Sequence, residues 1–336
     1  MTGDAAARLA RAGADRVLIL DGAYGTRFRG LDLPEAAFRD DRLGQHPTAL
    51  KGDYEVLNLT RPQLVRGLHD AYLAAGADIV TTNSFNANAI IQADVGLAAL
   101  APEMARAGAR LARAAADAAM AAAPGRPRFV AGALGVTRRN PARQGGDSPP
   151  GIAEADDDAL RLACLGAAAA LIEGGTDLLL IETVTSLHNA RLAVAAARQA
   201  AEAHGTDLPI VVSGTVGATG RFESGETIAA FVEGLADLGL FAIGLNCALS
   251  GKDLAPHLAA LARLSGSRIW VYPNAGYPDA AGHYHEPPAE TADALRALVA
   301  SGTVDAVGAC CGSTPAHIEA IARAAAGLMP RAARRE

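Results

Sequence analysis

Eight short apolar runs, each followed by a loop and an alanine-rich stretch with helical spacing, predict an α/β fold: a single (β/α)8 TIM barrel. The runs are continuous rather than alternating, which is the pattern of parallel strands covered on both faces. They span about 300 residues, which suits a barrel of about 250 residues with insertions. An open dinucleotide-binding sheet is disfavoured, because no G-x-G-x-x-G follows a run, GTVGATG at 214–220 has the wrong spacing, and no phosphate-loop motif is present.

In chain order, VLIL (17–20) ends at Asp21 and Gly22, DIVTT (78–82) at Thr82 and Asn83, and RFVAGAL (128–134) at Gly135. DLLLIE (177–182) ends in Glu182, and IVVSG (210–214) carries Ser213. FAIGLN (241–246) ends at Asn246 and Cys247, RIWVYP (268–273) at Asn274, and DAVGAC (305–310) at Cys310 and Cys311. Polar and special residues thus collect where apolar runs stop. In this fold those positions converge on one mouth, where catalytic groups sit. No repeat, linker or low-complexity segment divides the chain, so one domain over 1–336 is expected, with its core at about 17–326. The long irregular stretches 29–57 and 138–158 are expected to be functional or disordered loops.

With 336 residues, half of them hydrophobic, the chain is enzyme-sized. A formal charge of −6 and no basic stripe with interleaved aromatics argue against nucleic acid as a partner. The N-terminal residues are charged too early for a signal peptide, and no apolar run reaches the ~18 residues of a membrane span. A cytoplasmic location is expected, which suits reduced thiols.

Of four cysteines, Cys247, Cys310 and Cys311 fall at the ends of two strand-like runs. Three thiolates with one open position form the pattern of a catalytic zinc site. Against this stand buried-core and redox readings of the same residues. A disulfide framework is disfavoured by the chain's length and few cysteines, and neighbouring cysteines pair only with strain. Cys164, in RLACLGAAAALIEGG, reads as a core residue. Asp21 in LDGAYGT has a turn-forming reading as well as a functional one. Glu182, after five apolar residues, is costly to bury unpaired and therefore points to a ligand, with a structural ion pair as its other reading. Asn246 and Asn274 have loop-satisfying readings too, and His283 and His285 in GHYHEPP read as surface residues.

The motifs LDGAYGT, KGDYEVLNLTRP, AGADIVTTNSFNAN, DLLLIETV, GLNCALS, PNAGYP and GACCGSTPAHI resemble the homocysteine S-methyltransferases, in particular the homocysteine-binding barrel of cobalamin-dependent methionine synthase. The resemblance covers about residues 17–326. It implies that Cys247, Cys310 and Cys311 ligate zinc, which would activate the thiol of L-homocysteine for methylation to L-methionine. It also implies that Asp21 and Glu182 hold the α-ammonium, while donors near Gly22, Ala23, Thr82 and Ser213 take the carboxylate, and that Asn274 is an exchangeable fourth zinc ligand. Where the methionine synthase barrel carries Glu-Thr-Asn-Thr-Phe, this chain has Thr81-Thr82-Asn83-Ser84-Phe85, and Gly135-Val136-Thr137 replaces a Gly-Pro-Thr.

The methyl donor stays open between S-methylmethionine, a betaine-like compound and a methylcorrinoid protein. The last would make the chain a subunit of a split methionine synthase. Another thiol or selenol as acceptor, and a non-catalytic zinc-thiolate binding protein, remain alternatives. A lyase or aldolase barrel is disfavoured because Lys51 and Lys252 lie away from the run ends. Oligomeric state is left open.

Overall fold

The computed structural model describes residues 5–136 and 156–332. All eight runs form strands: β1 (Leu18–Ile19), β2 (Ile79–Thr81), β3 (Phe129–Gly135), β4 (Leu178–Val184), β5 (Ile210–Gly214), β6 (Ala242–Ser250), β7 (Arg268–Asn274) and β8 (Ala306–Val307). They pair in parallel in the order β1-β8-β7-β6-β5-β4-β3-β2. A parallel bridge between Leu20 and Ile79 joins β1 to β2 and closes the barrel, which leaves no unpaired sheet edge among the described residues. β1 and β8 are short, but the Leu20 N–H to Val307 carbonyl bond (2.8 Å) extends their ladder.

The alternation of strand side chains builds two cores. Leu178, Leu180, Val211, Ala242, Trp270 and Tyr272 point into the barrel with Leu18, Leu20 and Phe129. Leu179, Ile181, Val212, Ile243 and Val271 point outward into the helical layer. Continuing the inward period by one step reaches Glu182, Ser213 and Asn274. The mouth residues are therefore the polar ends of the inward-facing rows.

The helices are α1 (Ala5–Ala12), α2 (Gly25–Arg29), α3 (Leu57–Thr60), α4 (Pro62–Ala74), α5 (Ala89–Ala93), α6 (Ala101–Ala122), α7 (Asp157–Glu173), α8 (Leu187–Ala203), α9 (Ile228–Leu235), α10 (Gly251–Leu264), α11 (Pro288–Ala300) and α12 (Pro315–Ala325). Alanines such as Ala105, Ala109, Ala167, Ala193 and Ala197 form much of the buried face of α6, α7 and α8, so these helices pack closely. Asp156, Ser186 and Ser250 cap α7, α8 and α10 by accepting from first-turn backbone N–H groups. Among the described residues, no helix is long and apolar enough to cross a membrane.

The 29–57 stretch is more ordered than its composition suggests. It contains 3-10 turns at Glu35–Phe38 and Tyr54–Val56. The Arg39 guanidinium donates to the carbonyls of Leu43, His46 and Thr48 (2.8, 2.8 and 3.0 Å), and Glu35 accepts from the Leu50 and Lys51 amides (2.9 and 2.7 Å). Charge-assisted bonds organise the segment where no apolar period announces it. Of the 138–158 stretch, 138–155 lies outside the described residues, and Asp157 and Asp158 already belong to α7.

Candidate active site

The backbone leaves regular geometry where the candidate residues sit. The β6–β7 register shifts between Asn246 and Ser250, and Cys247 and Ala248 take left-handed φ values of 58° and 54°. The β4–β5 register shifts between Ile181 and Val184, beside Thr183 at φ 56°. Such conformations are costly for residues with a Cβ and persist only where the surroundings enforce them. The enforcing group is Asn246, which is fully buried. Its Oδ1 accepts from the Thr183 amide (3.2 Å) and the Ser213 hydroxyl (2.7 Å), and its Nδ2 donates to Thr183 Oγ1 (2.9 Å). One amide thus fixes both bulges, one carrying Glu182 and the other Cys247.

Cys247 meets Cys310 and Cys311, which follow β8. The Cys310–Cys247 sulfur separation is 3.1 Å and the Cys247–Cys311 separation 3.7 Å, and all three sulfurs lie within 4.8 Å of one another. Three sulfurs each ~2.3 Å from one tetrahedral ion stand about 3.8 Å apart, so the cluster fits zinc with a small expansion. The thiols compete for charge. Contacts with Cys247 and Cys311, and burial, push the Cys310 thiol well up, while Cys311 is pulled down by accepting from Cys247 and Cys310. A dication is the group that relieves three crowded thiolates at once. Backbone bonds from Cys310 N–H to the Pro273 carbonyl (2.6 Å) and from Ala275 N–H to the Cys311 carbonyl (2.9 Å) bracket Asn274. The buried Asn274 Oδ1 has no hydrogen-bond partner among the described residues.

Beside the sulfurs lies a cavity of about 270 Å³ whose wall includes Asp21, Gly22, Tyr24, Tyr54, Glu55, Phe85, Glu182 and Tyr272. Its charge is one-sided, since no lysine or arginine lines it among the described residues. Burial pushes the Asp21 carboxyl up to about 7. Burial, with the Asp21 charge adding to it, pushes Glu182 up to about 8. Glu55, buried and beside Asp53, is pushed up to about 7. Asp21 Oδ2 accepts from the Tyr24 hydroxyl and the Thr81 amide, both at 2.7 Å, whereas Oδ1 has only the Thr81 hydroxyl at 3.1 Å. Thr81, standing where the resembled barrel has an acid, therefore supplies donors to Asp21.

The remaining sequence candidates divide. Gly22 lines the cavity and admits no side chain, because a Cβ would lie 2.6 Å from Ser313 Oγ and 2.9 Å from the Tyr72 ring. Ala23 and Thr82 also line it, but their polar groups are already used. The Ala23 amide donates to Ser313 Oγ (3.0 Å), and Thr82 Oγ1 bonds Ser84 (2.6 Å) and accepts from the Ala133 amide (2.9 Å). Ser213 and Asn274 are not part of the wall, and the Ser213 hydroxyl is spent on Asn246. His283 and His285 gather on Asp279 at the exposed surface, as read from sequence. Cys164 is buried in the helical layer. Glu55, Tyr24 and Tyr272 escaped sequence reading. Glu55 lies in the irregular 29–57 stretch, Tyr24 inside a turn motif and Tyr272 within an apolar run, so periodicity marks none of them.

The profile of the homocysteine S-methyltransferase family matches residues 18–325. Among solved structures, the metallated form of the homocysteine methyltransferase MmuM from Escherichia coli is similar at 24% identity and a TM-score of 0.72, covering 94% of this chain and 98% of that one. Its oxidised form is similar at 24% identity and a TM-score of 0.70, covering 91% of this chain and 94% of that one. Its apo form follows at 22% identity and a TM-score of 0.64, covering 94% and 99%. These structural likenesses establish the barrel fold.

Proposed function

The chain belongs to the homocysteine S-methyltransferase family, and on that premise we propose that Cys247, Cys310 and Cys311 hold zinc while Asp21 and Glu182 hold the ammonium of the bound amino acid. The reaction is transfer of a methyl group to the thiol of L-homocysteine, giving L-methionine, with zinc as cofactor. When bound, zinc keeps the acceptor sulfur as a thiolate at neutral pH, where a free thiol of pKa ~8.5 is mostly protonated. The observation that carries the assignment is the adjacency of a three-sulfur cluster and an acidic cavity with no lysine or arginine among the described residues of its wall.

The chain's own residues orient the acceptor. Asp21 Oδ1 and Glu182 offer negative charge to an α-ammonium, and its arrival draws Glu182 into its ionised form. With the Ala23 amide and the Thr82 hydroxyl engaged, the carboxylate is assigned to the backbone of the cavity-lining turn at Gly22. The orphaned Asn274 Oδ1 supports its role as an exchangeable fourth ligand that yields to substrate sulfur. For the methyl donor we favour a small sulfonium or quaternary ammonium compound, such as S-methylmethionine or a betaine. Glu55 is a third acid on the wall, and the Tyr54 and Phe85 rings beside it suit a cationic methyl group. A mechanism on free thiols belongs in a reducing compartment, which supports the cytoplasm.

A donor panel on zinc-loaded protein with homocysteine tests this. S-Methylmethionine or betaine is expected to give methionine, with turnover abolished in Cys310→Ala. Glu55→Gln is expected to raise the donor KM about tenfold through loss of one charge contact, while the homocysteine KM holds. Turnover with methylcobalamin alone would replace the onium donor by a corrinoid protein. Stoichiometric zinc without any turnover would leave a thiol-binding protein.

A further inference from the structure

A buried histidine stands directly behind the ammonium-binding acid. His69 lies on the inner face of α4, fully buried with Val65, Tyr72 and Leu73. Its Nδ1 is 2.7 Å from the Tyr24 hydroxyl, and that hydroxyl is 2.7 Å from Asp21 Oδ2. The Tyr24 and His69 rings lie 5.1 Å apart. His69 Nε2 is buried with no hydrogen-bond partner among the described residues.

Proton counting fixes the arrangement. A phenol has one proton to give. If Tyr24 donates to an ionised Asp21, His69 must donate its Nδ1 proton to the Tyr24 oxygen, leaving Nε2 bare. If Asp21 is protonated and donates to Tyr24, the phenol proton turns to His69 Nδ1, and the imidazole must carry its proton on Nε2. That N–H would then point into a site with no acceptor and incur the desolvation cost of an unmade bond. Burial, and then the Arg66 charge, push His69 down to about 3, so the ring is neutral in either case. The groups facing this chain are Tyr24, Tyr72, Thr81, Glu182 and Arg66. Both 2.7 Å separations accommodate either direction of donation, and the orphaned Nε2 favours the arrangement with ionised Asp21.

We propose that His69 is a positioning residue: as the Nδ1–H tautomer it locks the Tyr24 hydroxyl onto Asp21 Oδ2, so that Asp21 stays ionised and presents Oδ1 to the α-ammonium of homocysteine. The proposal rests on Asp21 as the ammonium site. Three expectations follow. His69 acts only through Tyr24, the effect belongs to the amino group and not to the thiol, and a side chain that restores a donor at the Nδ1 position rescues it.

The test is calorimetric titration of zinc-loaded protein with two ligands, homocysteine and 4-mercaptobutanoate, which keeps the thiol and carboxylate but lacks the amino group. His69→Leu and Tyr24→Phe are each expected to weaken homocysteine about tenfold, the loss of one hydrogen bond to a charged group. They are expected to leave 4-mercaptobutanoate within about twofold, because they act on the amino end that this ligand lacks. The double variant is expected to match the single ones, and His69→Asn to recover most of the loss. Equal weakening of both ligands, additive losses in the double variant, or unchanged homocysteine binding would overturn the proposal. Wild-type protein that bound 4-mercaptobutanoate as tightly as homocysteine would instead remove the ammonium site on which it rests.

Discussion

At the N-terminal end of the barrel, buried acids are fully partnered. Asp78, with no exposed side-chain surface, meets Arg16 at 2.5 Å, Arg126 at 3.0 Å and Arg128 at 3.5 Å, and accepts from the Ile19 amide at 3.1 Å. Asp177 meets Arg113 at 2.6 Å and accepts from the Val130 amide at 2.8 Å, and Asp305 accepts from the Ile269 and Ala332 amides at 2.7 and 2.6 Å. At the C-terminal end, Asp21, Glu55 and Glu182 line a cavity with no lysine or arginine among the described residues, and burial raises all three. The same residue type thus pins neighbouring strands at one end and, on our proposal, receives a cationic ligand at the other. This is the barrel's division between a stabilising bottom and a reactive top.

The largest effect that tests this contrast is expected at the bottom. Asp78→Ala strands three arginines, of which Arg128 is itself buried, and is expected to cost about 3–5 kcal/mol of stability. Urea unfolding measures it, and the homocysteine KM of the folded protein is expected to hold. Activity loss at unchanged stability would erase the distinction.

Asn246→Ala comes next, because that side chain joins both mouth bulges. Deleting a fully buried amide with several partners is expected to cost about 1–3 kcal/mol. As the Cys247 bulge relaxes, zinc affinity is expected to fall too, read by competition with a chelator. Intact zinc affinity would mean that the bulge does not depend on Asn246.

The smallest effect is a slope. Glu182 is raised to about 8 in the folded protein from 4.5, so between those values the unfolded chain binds fewer protons than the folded one. Its contribution to stability therefore falls as pH rises through that window, the reverse of a salt-bridged acid. Glu182→Gln is expected to flatten this decline in thermal melts from pH 5 to about 8 while weakening homocysteine binding. An unchanged slope would show that Glu182 does not carry it.

Much of this was legible because barrel strands print themselves as apolar runs. All eight runs became strands, and the run ends located Asp21, Glu182, Cys247, Cys310 and Cys311 at one mouth. Run ends alone, however, do not say whether a polar group is free. Thr82, Ser213 and the Ala23 amide sit at the right ends and are consumed by Ser84, Asn246 and Ser313. The left-handed turns at Thr183 and Cys247 have no sequence signal, since neither is glycine. His69 and Glu55 were hidden for opposite reasons. His69 occupies an apolar face of α4, where a histidine reads as core, and Glu55 lies in a segment whose order comes from the Arg39 and Glu35 hydrogen bonds rather than from any period.

The central claim, that the three cysteines hold zinc and present it to the homocysteine sulfur, is tested most directly by zinc K-edge X-ray absorption with and without homocysteine. Three sulfurs and one lighter ligand should become four sulfurs on binding, with the lighter ligand altered in Asn274→Ala before homocysteine is added. A sulfur count that stays at three after homocysteine saturates the protein would contradict the account.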